Sequence, residues 1–165
     1  MFETNVDATY AWLGLALVSV AAAGVAATLP ASPPPDASGV AHTIDSVADG
    51  PHPARAEHGL AASQMRLTER SIGLRSDGGV GFASLHGPKV TPVPAGHADR
   101  NRTDGINRLR PVLDGVPPSS AFDDPDAFAA AASRARAAAG AWRPAPERLT
   151  VRRVHYGGVH VTLVG

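Results

Sequence analysis

His155 and His160 are the residues whose types and spacing come closest to chemistry. If Gly157-Gly158 is a two-residue turn, the two histidines oppose each other on one face of a hairpin. Two imidazoles at cross-strand distance supply two ligands of a metal site, which needs at least a third. No third ligand is evident, and Arg153 on the same face would repel a cation. The ordinary reading is a pair of solvated histidines. No residue is assigned to a metal.

Other short motifs resolve the same way. Asp123-Asp124-Pro125-Asp126 is acidic enough for a cation, but its place at a helix start makes capping the better account. Gly78-Gly79-Val80-Gly81 resembles a phosphate loop, yet it lacks the lysine–hydroxyl pair and opens no helix, so it reads as a turn. Arg100, Arg102, Arg108 and Arg110 make a locally basic segment that could meet lipid headgroups or an acidic subunit. Asp99 and Asp104 dilute it, and a solvated face is the simpler reading. No G-x-S-x-G and no H-E-x-x-H occurs. No catalytic residue, cofactor site or cofactor is assigned, and the expectation is a protein that is not an enzyme.

Composition narrows the classes further. The chain has 165 residues, 15 Lys and Arg against 15 Asp and Glu, and no cysteine. Balanced charge gives no global field toward nucleic acid, and none is expected as a partner. The absence of cysteine excludes disulfides, thiol nucleophiles and Cys-ligated zinc. Lys89 is the only lysine, and the wealth of Arg, Ala and Gly reads as nucleotide bias.

The strongest element is hydrophobic. No charge interrupts the chain between Asp7 and Asp36, and an apolar run extends from Tyr10 to Leu29. Roughly 20 residues at 1.5 Å each cross a bilayer core. Tyr10 and Trp12 suit an interface, and Pro30 with Pro33-Pro34-Pro35 ends the helix. A buried core helix would be apolar on too many sides for so small a domain. A cleaved signal peptide would carry a basic flank where this chain has Glu3 and Asp7. The spacing predicts a stub over 1–7, a transmembrane helix over 8–30, a Pro-rich linker over 31–38 and a domain over 39–165. Ser19, Ala23 and Ala27, and Val20, Gly24 and Thr28, recur every fourth residue, which permits close helix packing in lipid. Ala-rich anchors contain such spacings by default. A stalk-like linker and the glycosylation triplet Asn101-Arg102-Thr103 place the domain outside the cytoplasm.

The domain reads as α+β, with mainly antiparallel strands and one main helix. Residues 39–48 form a short helix with Val40, Ile44 and Val47 on one face and Ser38 as N-cap. Residues 51–62 read as a loop or a frayed second turn. Met65 to Thr68 is a short strand. Arg70–Ser76 and Val80–His86 make a hairpin, whose three-residue turn Asp77-Gly78-Gly79 would set Leu74 opposite Phe82 and Ile72 opposite Ser84. A two-residue turn would shift that register. Lys89–Val93 extends the sheet as an edge because of Pro92 and Pro94. Residues 94–104 are polar loop, and Ile106–Leu113 reads as a strand despite Pro111. The main helix spans 125–139, with Asp123 or Asp124 as cap, Pro125 at its first position, Phe128, Ala131, Ala132, Ala135 and Ala139 as its stripe, and Gly140 as its stop. Strands 147–156 and 159–164 pair Tyr156 with Val159, Val154 with Val161 and Arg152 with Leu163. Val154, Tyr156, Val159, Val161 and Leu163 make the core face, and the phase change after Val151 reads as a bulge at Arg152-Arg153.

These parts together carry a resemblance. The stub Met1 to Asp7 runs into the Tyr10–Leu29 span, which closes on Leu29-Pro30. Pro33-Pro34-Pro35-Asp36, Ile44-Asp45-Ser46-Val47, Glu57-His58 and the ending Val151-Arg152-Arg153-Val154, Gly157-Gly158-Val159 and Val161-Thr162-Leu163-Val164 follow. The chain resembles a family of small haloarchaeal single-pass membrane proteins without an assigned activity. In layout it is similar to type IV pilin-like proteins. The resemblance implies a structural or assembly protein of the cell membrane, a pilin-like or accessory subunit of a cell-surface pilus or secretion-type system. It implies partners in the membrane itself and in other membrane or pilus-like proteins reached through the N-terminal helix. The alternative is a membrane-anchored module that binds a small ligand or an envelope component.

Overall fold

A computed structural model describes residues 4–28, 32–94 and 105–165. The glycosylation triplet 101–103, most of the loop 94–104, Glu3 and the end of the apolar run at Leu29-Pro30 lie outside the described residues. The chain divides into two compact units, Met1–Ser32 and Pro33–Gly165.

The first unit is one helix, α1 (Thr4–Thr28). Its stretch Thr9–Ala27 is 19 residues long, apolar and unburied, and is long enough to cross a membrane. At 1.5 Å per residue it measures about 28 Å, close to the hydrocarbon thickness. Tyr10, Trp12, Leu17 and Val20 are each about two-thirds exposed or more.

The second unit is α+β, with two four-stranded sheets. Its helices are α2 (Ala37–Ala48), α3 (Leu109–Asp114), α4 (Pro118–Ala121) and α5 (Pro125–Ala137). Its strands are β1 (Ala54–Gly59), β2 (Gln64–Leu67), β3 (Ser71–Ser76), β4 (Gly79–Ser84), β5 (Val90–Pro92), β6 (Trp142–Pro144), β7 (Arg148–Tyr156) and β8 (Val159–Val164). An inner sheet runs β1-β7-β8-β5 and an outer sheet β4-β3-β2-β6. All pairings are antiparallel except β5 with β8.

The C-terminal hairpin has the expected register, Tyr156 with Val159, Val154 with Val161 and Arg152 with Leu163. Gly157 and Gly158, both at positive φ, form its turn. The bulge is absent, because pairing runs without a break through Arg152 and Arg153. The phase change has another cause. Leu149, Val151 and Val164 join a core with α2 and the outer sheet, while Val154, Val161 and Leu163 join a second core with α3 and α5. The inner sheet is therefore buried on both faces, and the face expected to be solvated holds Val151 and Val164 at 0% exposure.

Helix α2 lies between the sheets. Its cap is Asp36, whose carboxylate accepts from the Gly39 amide at 2.8 Å, and not Ser38. Val40, Ile44 and Val47 are buried as expected, joined by Ala37, Ala41 and Ala48. The main helix starts as read, with Asp124 accepting from the Ala127 amide at 2.7 Å. It ends at Ala137, two residues early, and Gly140 follows at φ 101°.

Other elements depart from expectation. Residues 106–113 are helical, as a single 3-10 turn followed by α3, with Leu109, Val112 and Leu113 buried at i, i+3, i+4 spacing. Pro111 falls in the first helical turn, where its missing N–H costs nothing. Strand β1 replaces a loop; its sequence holds no β-branched or large apolar residue. Strand β5 pairs with β8 in the inner sheet, not with the hairpin before it.

The β3–β4 hairpin uses a two-residue turn, so Ser76 faces Gly79, Leu74 faces Gly81 and Ile72 faces Ala83. Packing explains the slip. A Cβ at Gly81 would stand 2.5 Å from the Pro35 carbonyl and 3.4 Å from the Ala37 side chain. The inward positions of β4 must be small, and Gly79, Gly81 and Ala83 occupy them. A one-residue slip turns a strand over, and here it turns Phe82 outward.

Candidate functional site

Each cluster singled out by sequence now has a place. His155 and His160 do face each other, with ring centroids 4.0 Å apart. The Arg153 Nε–H donates to the His155 Nε2 at 3.2 Å, which occupies the lone pair a metal would need. Burial holds the His155 pKa below its ordinary value, aided by His160, Arg153 and His52. The two rings lie side by side, tilted by 30°, beside an arginine. Among the described residues, no three His, Asp or Glu side chains are grouped to hold a metal.

The acidic run at 123–126 caps α5. Residues 78–81 are the hairpin turn and its inward glycines. In the basic segment, Arg108 meets Asp123 at 3.9 Å and Arg110 meets Asp114 at 3.3 Å. Arg100 and Arg102 lie outside the described residues.

Many polar side chains join parts of the fold. Asp45 on α2 accepts from the amides of His86 at 3.1 Å and Gly87 at 3.2 Å. Arg153 donates to the Ala48 carbonyl and Arg152 to the Val112 carbonyl, which satisfies ends of α2 and α3. Arg136 reaches the buried Thr91 hydroxyl at 2.8 Å. Glu57 holds Arg55 at 2.8 Å and Arg148 at 3.0 Å, and these hydrogen bonds keep its carboxyl below the usual range.

Two surfaces escape this use. One is a cleft of about 330 Å³ where the edge strands β5 and β6 approach, lined mainly by Met65, Leu67, Pro92, Val93, Arg143 and Pro144. It is apolar, with one guanidinium. The other is the outward face of the outer sheet. Phe82 is 65% exposed and Val80 43%. Phe82 and Trp142 meet edge to face at 6.0 Å above Gly73, where a Cβ would stand 2.7 Å from the phenyl ring. The Arg75 guanidinium sits 4.5 Å over Trp142 and donates to the Gln64 side-chain Oε1 at 3.0 Å. Arg66 shares the cross-strand row with Gly73, Phe82 and Trp142. This surface was hidden in the sequence because a three-residue turn sets Phe82 opposite Leu74, on the face that is buried. The small residues Gly79, Gly81 and Ala83, alternating with Val80 and Phe82, were the available signal.

The chain belongs to a family of unknown function, DUF7283, whose family model matches residues 3–154. The match takes in both the helix and nearly all of the domain. No curated protein and no solved structure matches the chain.

Proposed function

We propose that the chain is a single-pass membrane protein of structural or assembly character, with α1 as its anchor and the α+β unit as a contact domain. One observation carries this reading: a 19-residue apolar stretch that no part of the protein covers. In water its apolar surface would cost about 25 cal/mol per Å², so such a helix belongs in lipid or against other helices. The family match, which includes the helix, supports treating anchor and domain as one design. The finer reading is a pilin-like or accessory subunit of a cell-surface assembly, with the domain outside the cytoplasm. It rests on the layout of helix, proline stalk and sheet domain.

The test is photo-cross-linking from Val20 and Gly24 in native membranes. Discrete adducts with a second copy or with another membrane protein are expected. Lipid adducts alone would count against an assembly role. The cleft beside Arg143 favours a second reading, a module that binds a small amphipathic acid. A series of short-chain carboxylates that raises the melting temperature of the full chain, and fails to do so with Arg143→Ala, would favour it over assembly.

A further inference from the structure

We propose that the outward face of the outer sheet, built on Phe82, Val80, Trp142, Arg66 and Arg75, docks on the anionic lipid headgroups of the membrane that holds α1. The inference rests on the anchoring reading above.

Three observations lead to it. The face combines exposed apolar rings with cations. Aromatic residues and arginine are the side chains that settle at a bilayer interface, the rings at headgroup level and the guanidinium on phosphate. Second, charge complementarity is one-sided. None of the four strands β2, β3, β4 and β6 contains an Asp or Glu. Among the described residues neither Arg66 nor Arg75 has a carboxylate partner, whereas Arg55, Arg108, Arg110 and Arg148 each have one. An anionic surface fits this face and an acidic-rimmed partner is not required.

Third, the tether is short and arrives at this sheet. Pro34 lies beside Gly79, and the Pro35 carbonyl lies beside Gly81, both on β4. An extended chain advances about 3.5 Å per residue, so the six steps from Thr28 to Pro34 reach at most about 20 Å. With α1 in a bilayer, that length bounds how far Pro34, and Gly79 beside it, can stand from the end of the span. A second copy or an acidic glycan would find the same face only after competing with lipid at that distance.

The experiment uses the full chain with Trp12→Phe, which leaves Trp142 as the single tryptophan. It is placed at one copy per lipid nanodisc, with lipids brominated near the headgroup end of the acyl chain. Trp142 fluorescence should be quenched in discs containing phosphatidylglycerol and much less in discs of phosphatidylcholine alone. Arg66→Gln with Arg75→Gln should weaken docking by roughly 30-fold, from about fivefold per arginine near an anionic surface. Phe82→Ser should also weaken it, with an unchanged circular dichroism spectrum. Trp142 that stays open to acrylamide and unquenched by bromolipid in both discs would overturn the proposal. Shielding that appears only with two copies per disc would also overturn it, in favour of a protein interface. A chain that fails to co-elute with discs would sink the anchoring reading first, and this one with it. A chain that co-elutes with Trp142 unquenched sinks the docking alone.

Discussion

The inner and outer sheets have the same number of strands and share α2, yet they treat a phenylalanine in opposite ways. Phe128 on α5 is 0% exposed against the inner sheet, packed on Phe122 at 5.3 Å and Tyr156 at 6.3 Å. Phe82 in the outer sheet is 65% exposed, with Trp142 beside it. The inner sheet is sandwiched, and its arginines are engaged, Arg152 and Arg153 at helix ends and Arg55 and Arg148 on Glu57. The outer sheet has a core on one face only, and Arg66 and Arg75 look outward while Arg143 lines the cleft. The outer sheet adds Leu67, Ile72 and Leu74 to a core on its inner face and leaves its other face free to meet something else.

The largest effect should come from breaking the inner side. Phe128→Ala is expected to cost about 3–5 kcal/mol, the range for emptying a buried aromatic site. Phe82→Ala should cost about 1 kcal/mol or less, the worth of an aromatic pair at a surface. Denaturant melts of the two variants in detergent measure this directly. Comparable losses would erase the distinction between the sheets.

Next comes the joint between α2 and the segment after β4. Asp45→Ala leaves the His86 and Gly87 amides without their acceptor. Hydrogen bonds to a charged group are worth about 1.5–3 kcal/mol, so a loss near 2 kcal/mol is expected, with faster amide exchange at residues 86 and 87. A smaller step is Asp124→Ala, which removes the α5 cap and should cost about 1 kcal/mol by the same melts.

Gly73→Ala sharpens the comparison from the outer side. Its Cβ would collide with the Phe82 ring, which faces open space and can swing away. Melting should move by less than about 1 kcal/mol while Trp142 emission changes. A large destabilisation would mean that the ring pair belongs to a core.

The smallest effect is a pH dependence. The folded chain holds His155 below its ordinary pKa, so the unfolded chain takes up the proton first as pH falls. Stability from this group is present above the ordinary histidine value and is lost as pH drops from there toward the depressed value. His160→Ala removes one cause of the depression and should raise the His155 midpoint in an NMR titration.

The residues explain which of these features were readable in advance. The pairing of the C-terminal hairpin was legible from Gly157-Gly158 and the flanking residues, whereas its phase change was misread as a bulge because the second core lies on the other face. Asp77-Gly78-Gly79 permits two turn lengths, and only the packing of Pro35 and Ala37 against Gly81 selects between them. Leu109, Val112 and Leu113 carried helical spacing that Pro111 and the aliphatic composition obscured. Strand β1 hides in Ala54 to Gly59 because that stretch holds no β-branched or large apolar residue to mark a strand. The aromatic and arginine face was illegible for a further reason. Arg66, Arg75, Phe82 and Trp142 come from four strands, and the last is far along the chain from the others. No local pattern could join them before the sheet order was known.

The central claim is that α1 stays with the domain and holds it in a bilayer. Alkaline carbonate extraction of native membranes, followed by N-terminal sequencing of the recovered protein, tests it most directly. Retention in the pellet with an N-terminus ahead of Thr9 is the expected result. Release into the supernatant, or a mature N-terminus beyond Thr28, would contradict it.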